Sequence, residues 1–315
     1  MEKERATVDV VIPVYKPDER LAQSIRHLLQ QTYPVNHIYL MHTIPEQGEI
    51  PNLEETYREE VRISVIPVPQ SQFNHGGTRN QGVSLSKAEY VLMMTQDAVP
   101  KNKNLVQALM EPFADPQVAV SYARQLATKE AGMVEQYTRQ FNYPAVSHKK
   151  SVKDLQRLGI KTYFCSDVCA LYKKEIYEKL GGFVTKTIFA EDMILASQII
   201  QEGYEIAYAA KAQVFHAHRY TGKQQFQRNF DMGVAHREYR EIFSKVPSES
   251  EGVQLVKQTA LYLCRKGRID QVVSLIWQSG CKFIGYRLGK CYDRLPMWFV
   301  RRASSQKSYW KQGKE

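Results

Sequence analysis

The chain has 315 residues, 43% of them hydrophobic and 24% charged, with a formal net charge of +10. This is the composition of a globular protein, long enough for one large α/β domain with an appendage or for two domains, and it holds no low-complexity tract or internal repeat. The charge is not spread evenly: Gln227 to Glu315 carries 17 Lys and Arg against 8 Asp and Glu. Basic charge placed this way favours anionic partners, either nucleic acid or an anionic membrane surface, and a merely solvated basic face is the plain alternative.

The opening MEKERATVDV is charged and lacks an apolar stretch, so no secretory signal is expected. No run approaches the ~18 apolar residues of a spanning helix. Of five cysteines only Cys165 and Cys169 lie close together, which fits a reduced cytoplasmic setting better than a disulfide framework or a zinc site.

Residues 8–15, VDVVIPVY, are continuous and β-branched and predict a buried strand. A helix follows from Pro17-Asp18-Glu19-Arg20 to about Gln31, with Leu21, Ile25, Leu28 and Leu29 on one face. Strands are predicted at 35–41, 61–68 and 90–94, with a helix at 76–86 after a glycine turn. This alternation implies a parallel, doubly wound sheet whose ligands bind beyond the carboxyl ends of its strands, where Tyr15, Thr43 and Asp97 fall. Further strands are predicted at 118–124, 204–208 and 213–216, an extended apolar segment at 161–172, and a helix from Asp192 to Glu202. From about Gln224 the pattern turns helical, at 226–243, 252–265, 269–288 and 296–302. A boundary near Thr221-Gly222 divides the chain into residues 1–222 and 223–315. Apolar residues such as Leu275, Ile276, Trp277, Phe283 and Trp298 stand among cations in the second part, suiting the core, a partner chain or a bilayer surface.

Four pieces carry chemistry. In FNHGGTRN, residues 73–80, Gly76 and Gly77 permit close approach to a ligand, and the planar fork of Arg79 suits phosphate oxygens. A tight turn with a surface salt bridge is the structural alternative. Asp97 ends the apolar run YVLMMTQD and is placed to bind Mg²⁺ or Mn²⁺, or simply to cap the turn before Pro100. Glu191-Asp192 opens a helix whose N-terminus stabilises carboxylates, which predicts a base already ionised at neutral pH; a structural charge pair would look the same. His216 and His218 alternate along a strand and so share one face. Together these pieces point to a transferase that uses a sugar nucleotide.

In order, VVIPVYKPDERL, GGTRNQGVSLSKAEYVLMMTQDA and FAEDMIL resemble the opening strand and helix, the arginine-to-DxD segment and the ED motif of family-2 glycosyltransferases, over about residues 7–220. FNHGGTRN, MTQDAVP, YARQ, FNYP, KTYFCSDVCALY, TIFAEDMI and HAHRYT further resemble bacterial rhamnosyltransferases of cell-wall polysaccharide synthesis, the streptococcal rhamnan-synthesis B type in particular. The resemblance implies a GT-A fold, a Rossmann-like mixed sheet with a C-terminal helical extension. It implies inverting transfer of L-rhamnose from dTDP-β-L-rhamnose to an undecaprenyl-diphosphate-linked saccharide at the cytoplasmic face of the cell membrane. Under it Asp192 is the general base, and Glu191 places the base or the acceptor. Asp97 and His218 hold a divalent metal, Mn²⁺ or Mg²⁺, with His218 ahead of His216. Pro13, Tyr15, Thr43, Gly77, Arg79 and Gln96 bind the donor.

Two departures stand out. The DxD motif reads Thr95-Gln96-Asp97, without its first Asp, and the acidic segment after the second strand is replaced by MHTIPE, where Glu46 is one candidate for the missing carboxylate. Rival readings are a UDP-hexose or UDP-N-acetylhexosamine donor, a non-catalytic membrane-peripheral scaffold, and nucleic-acid binding through the basic tail. The last lacks any nucleic-acid motif, so a membrane surface is the expected partner; a homo-oligomer is the competing use of the apolar helix faces.

Overall fold

The computed structural model describes residues 5–128, 131–218, 220–244 and 249–310. Nine strands form one sheet: β1 (Val8–Val14), β2 (His37–Ile44), β3 (Ile63–Pro69), β4 (Tyr90–Met94), β5 (Val99–Pro100), β6 (Val118–Leu126), β7 (His148–Lys150), β8 (Cys169–Lys173) and β9 (Glu205–Phe215). Their order is β3-β2-β1-β4-β8-β6-β9-β5, with β7 also paired to β9. The first four are mutually parallel. β8 runs antiparallel to both β4 and β6, and β6 and β9 are parallel again, so the sheet is mixed.

Side-chain alternation along β1 divides the core. Val8, Val10, Ile12 and Val14 face helix α1 (Glu19–Leu29) through Leu21, Ile25 and Leu28. Val11 faces the other way, into a cluster with Val83, Tyr172, Ile199 and Ile200. The chain enters α1 through Asp18, whose carboxylate accepts the Arg20 N–H at 2.9 Å. The next helices are α2 (Leu53–Thr56), α3 (His75–Leu85), α4 (Leu105–Met110), α5 (Met133–Asn142), α6 (Leu155–Leu158), α7 (Lys174–Lys179) and α8 (Glu191–Gln201). The C-terminal part contains α9 (Gly222–Glu238), α10 (Arg240–Phe243), α11 (Glu249–Arg265), α12 (Ile269–Gly289) and α13 (Met297–Ala303). Phe230, Val234 and Val300 of this part share an apolar cluster with Ile188 and Ala190, the residues leading into α8.

Three segments differ from expectation. Residues 161–172 are not one extended run: Gly159–Tyr163 is a 3₁₀ turn and only Cys169–Lys173 is strand. Lys150, buried and with no ion-pair partner among the described residues, ties the segment down by donating to the carbonyls of Lys161 (3.1 Å) and Phe164. The two short strands expected at 204–216 are one strand, because the β6–β9 ladder continues across a bulge between Ala209 and Gln213. The glycine turn expected before α3 lies within its first turn, since Asn74 caps the helix by accepting the Gly77 N–H at 2.6 Å.

Candidate active site

Asp97, just past β4, lies against the end of β9 and the residues following it. Its Oδ2 is 3.3 Å from His218 Nε2, and its Oδ1 is 3.6 Å from His216 Nε2. The two Nε2 atoms are 2.8 Å apart, and all three groups fall within 4.8 Å of one another. Burial holds both imidazoles below the ordinary histidine range, His216 at about 3, so both are neutral near pH 7. Burial alone would raise the Asp97 carboxyl, but His216, His218 and Arg20, 3.7 Å away, outweigh it and keep Asp97 ionised.

The tautomer of His216 follows from its neighbours. Gln125 Oε1 faces Arg139, which can only donate, and its amide nitrogen donates to Ser166 Oγ at 2.9 Å. His216 Nδ1, 2.9 Å from the same oxygen, therefore carries the proton, and its Nε2 lone pair points at His218 and Asp97. His218 Nε2, 2.8 Å from that lone pair, is then the donor between the rings; with its proton moved to Nδ1, two imidazole nitrogens beside a carboxylate would fit a divalent cation.

A second group lies at the start of α8. Arg79 Nη1 donates to Glu191 Oε1 at 3.2 Å, and its Nε is 3.7 Å from Asp167 Oδ2. Tyr172 donates to Asp167 Oδ1 at 2.7 Å. Burial raises Asp167 to about 6, with Arg79 and Tyr172 only partly offsetting it. Asp192, next to this set, is pushed well above the carboxylate range by burial and then by the charges of Asp167 and Glu191. That runs against the expectation of a base fully ionised by its helix terminus: burial, with the neighbouring carboxylates adding to it, pushes the group up. Ala190, the residue before the pair, is held left-handed at φ 67° and is buried, which marks strain at the entry to the site.

The donor-binding candidates divide. Pro13, Tyr15 and Thr43 do lie at the carboxyl ends of β1 and β2, beside the turn that carries Asp97. Thr43 Oγ1 is buried and has no partner among the described residues. Gln96 is occupied by the backbone of Tyr15, accepting its N–H at 2.8 Å and donating to its carbonyl at 2.9 Å. Gly77 and Arg79 are engaged within the protein: Gly77 is half-buried, its N–H taken by Asn74, and Arg79 is buried. A Cβ at Gly77 would meet the Asn74 side chain, and Arg79 is 5% exposed with its charge directed at Asp167 and Glu191. Their motif holds the approach to α8. Gly76 makes room for the Val184 carbonyl, and Asn80 clamps Phe183 by donating to its carbonyl at 2.8 Å and accepting its N–H at 3.0 Å.

Sequence reasoning ranked His216 below His218, yet the structure brings both to Asp97. Two other residues were missed. Asp167 was signalled only by being a charge inside an otherwise apolar run. Arg228 of α9 is exposed, stacks over Tyr220 at 4.9 Å and Phe189 at 5.2 Å, and has no carboxylate partner among the described residues. Nothing in its spacing separates it from the other basic residues nearby. A cavity of about 350 Å³ is lined by Lys101, Arg124, Gln125, Arg139, Gln140 and Tyr143. Gln125 links it to His216, and Tyr143 feels the charge of Asp192.

The Glycosyl transferase family 2 model matches residues 9–181. The chain belongs to that family. It is 39% identical over 261 residues to the O-antigen chain rhamnosyltransferase WbaN of Salmonella anatum, covering 82% of this chain and 81% of the relative. It is 35% identical over 311 residues to the O-antigen chain rhamnosyltransferase RfbN of Salmonella typhimurium, covering 96% of each. In fold it is similar to a mannosyltransferase from Pyrobaculum calidifontis solved with GDP-Man and Mn²⁺, with a TM-score of 0.56 at 14% identity over 99% of this chain and 88% of that one. S. aureus TarS residues 1–349, solved with UDP-GlcNAc, gives 0.53 at 14% identity over 91% of each. The chain is a glycosyltransferase of the GT-A fold with a helical C-terminal part. No described helix is long and apolar enough to cross a membrane.

Proposed function

We propose that this glycosyltransferase is an inverting rhamnosyltransferase, moving L-rhamnose from dTDP-β-L-rhamnose to a lipid-diphosphate-linked saccharide at the cytoplasmic membrane face. One observation supports the chemistry most directly: the ligand atoms of Asp97, His216 and His218 lie within 4.8 Å of one another, a group fit for a cation. The sugar is inferred from the two O-antigen chain rhamnosyltransferases, which are similar over most of the chain. Residues 1–222 would form the transferase domain and 223–315 the region that anchors and closes it.

Asp192 takes the proton of the acceptor hydroxyl as that oxygen attacks the anomeric carbon from the side opposite the diphosphate. The new C–O bond forms as the bond to the diphosphate breaks, and the configuration inverts. Asp192 leaves the step protonated, which its raised pKa favours. Glu191, fixed by Arg79, holds the start of α8 so that Asp192 keeps its aim. Asp97, His216 and His218 would hold the divalent ion, a donor set suited to Mn²⁺ more than to Mg²⁺, which prefers oxygen ligands. Once bound, the ion would neutralise charge on the departing diphosphate. Arg228 and Arg20 supply fixed positive charge beside it, the part first assigned to Arg79. Pro13, Tyr15 and Thr43 line the nucleotide end, and the cavity at Arg124 and Tyr143 receives the acceptor.

A donor panel tests this reading. Purified protein with Mn²⁺ or Mg²⁺ and a synthetic lipid-linked acceptor should turn over dTDP-L-rhamnose and not UDP-glucose, UDP-galactose or UDP-N-acetylglucosamine. Turnover of a UDP-sugar alone would overturn the sugar assignment while leaving the family intact.

A further inference from the structure

The longest described helix, α12, is amphipathic in the inverse sense. Ile269, Val273, Ile276, Trp277, Phe283 and Ile284 are all exposed, Trp277 by 69% and Phe283 by 59%. At 100° per residue they lie within an arc of about 120°, together with Gly280 and Arg287. The opposite face is the one packed inward, and it is built for close approach to α9 rather than for apolar burial. A Cβ at Gly285 would run into the Phe226 carbonyl, one at Gly289 into the Phe230 carbonyl, and one at Gly233 into the Tyr286 carbonyl. The glycines pin α12 in this rotation and leave its apolar stripe outward.

The ends of the stripe are basic. Arg265 and Lys266 precede the helix and are exposed, without a carboxylate partner among the described residues. Arg287 stacks over Phe283 at 5.3 Å, and Lys290 reaches over Tyr286 at 5.6 Å. The one acid in the first turn, Asp270, is taken by Arg268 at 2.8 Å.

We propose that this stripe of α12 is a docking face for an anionic lipid bilayer, with its aromatic and branched side chains seated at the headgroup boundary and its cations on lipid phosphates. Charge decides the occupant. A second copy would set one stripe on another about a two-fold axis, and cations at both ends of the helix would meet cations whichever way the copies run. An anionic surface supplies the opposite charge to both ends at once. The face stands on its own geometry; the lipid-linked acceptor read above supplies its purpose.

The test is flotation of the full chain with vesicles of phosphatidylcholine alone or with about one third phosphatidylglycerol. The protein should float with the anionic vesicles, less with the neutral ones, and progressively less as salt is raised. Ile276→Asp with Phe283→Asp should cut the floated fraction by about tenfold or more, with the melting temperature and transfer to a water-soluble acceptor unchanged, since both side chains are exposed. Failure of the wild-type chain to float with anionic vesicles, or equal flotation of the double variant, overturns the proposal. Sedimentation velocity guards against the alternative: dimerisation lost in the double variant, without vesicle binding, would assign the stripe to a second copy. Loss of dTDP-rhamnose turnover with flotation intact would refute the donor reading and leave the docking face standing.

Discussion

Asp97 and Asp192 are the same residue type in opposite surroundings. Asp97 has two neutral imidazoles and an arginine around it and stays ionised despite burial. Asp192 lies beside two further carboxylates that share a single arginine, and is driven toward its protonated form. Under the proposed function the same side chain would serve as a cation ligand in one place and, once deprotonated, as a proton acceptor in the other. Neighbours, not residue identity, assign the work. Experiments that change those neighbours should exchange or erase the contrast.

The largest effect should come from Asp192→Asn, which keeps size and removes proton acceptance. Transfer should fall by about 10²–10⁴-fold, the typical share of a general base, while the melting temperature holds. A variant with near-normal kcat would remove Asp192 from the chemistry. Next is Arg79→Met. It strands Asp167 and Glu191 without their cation, at a cost of about 3–5 kcal/mol of folding stability. Thermal unfolding should show a clear drop in Tm. An unchanged Tm together with a raised KM for the donor would return Arg79 to the nucleotide pocket.

Gln125→Ala should act on the other group, by freeing the His216 tautomer. About 10–100-fold in metal affinity should be lost, measured by direct titration of Mn²⁺. The smallest effect is a shift in pH dependence. Asp192 must be deprotonated to act, so transfer is lost as pH falls through its raised pKa. Asp167→Asn removes a negative neighbour and lowers that pKa, so the acidic limb of kcat/KM should move to lower pH. Movement to higher pH would mean that Asp167 does not press on Asp192.

The readable and unreadable parts of the chain separate on physical grounds. β1, α1 and β4 were plain because burial on both sides of a parallel strand leaves a continuous apolar run, and Asp18 marks a helix start. The meeting of Asp97 with His218 could be anticipated because both stand just past the carboxyl ends of strands, β4 and β9, that belong to one sheet. The carboxylate partners of Arg79 were not legible, because a fork that suits phosphate suits carboxylates equally and Asp167 and Glu191 are 88 and 112 positions away. The turn at 159–163 is tied down by Lys150 reaching two carbonyls, a contact which no local pattern encodes. Likewise the outward stripe of α12 was visible as amphipathicity, but its rotation is set by three glycines meeting distant carbonyls.

The decisive measurement is calorimetric titration of dTDP-L-rhamnose into wild type, Asp97→Asn and Asp192→Asn, each with and without Mn²⁺. The account predicts that donor affinity falls on removing either Mn²⁺ or Asp97, and that Asp192→Asn binds as wild type does. Normal donor binding by Asp97→Asn, with binding lost in Asp192→Asn, would contradict it.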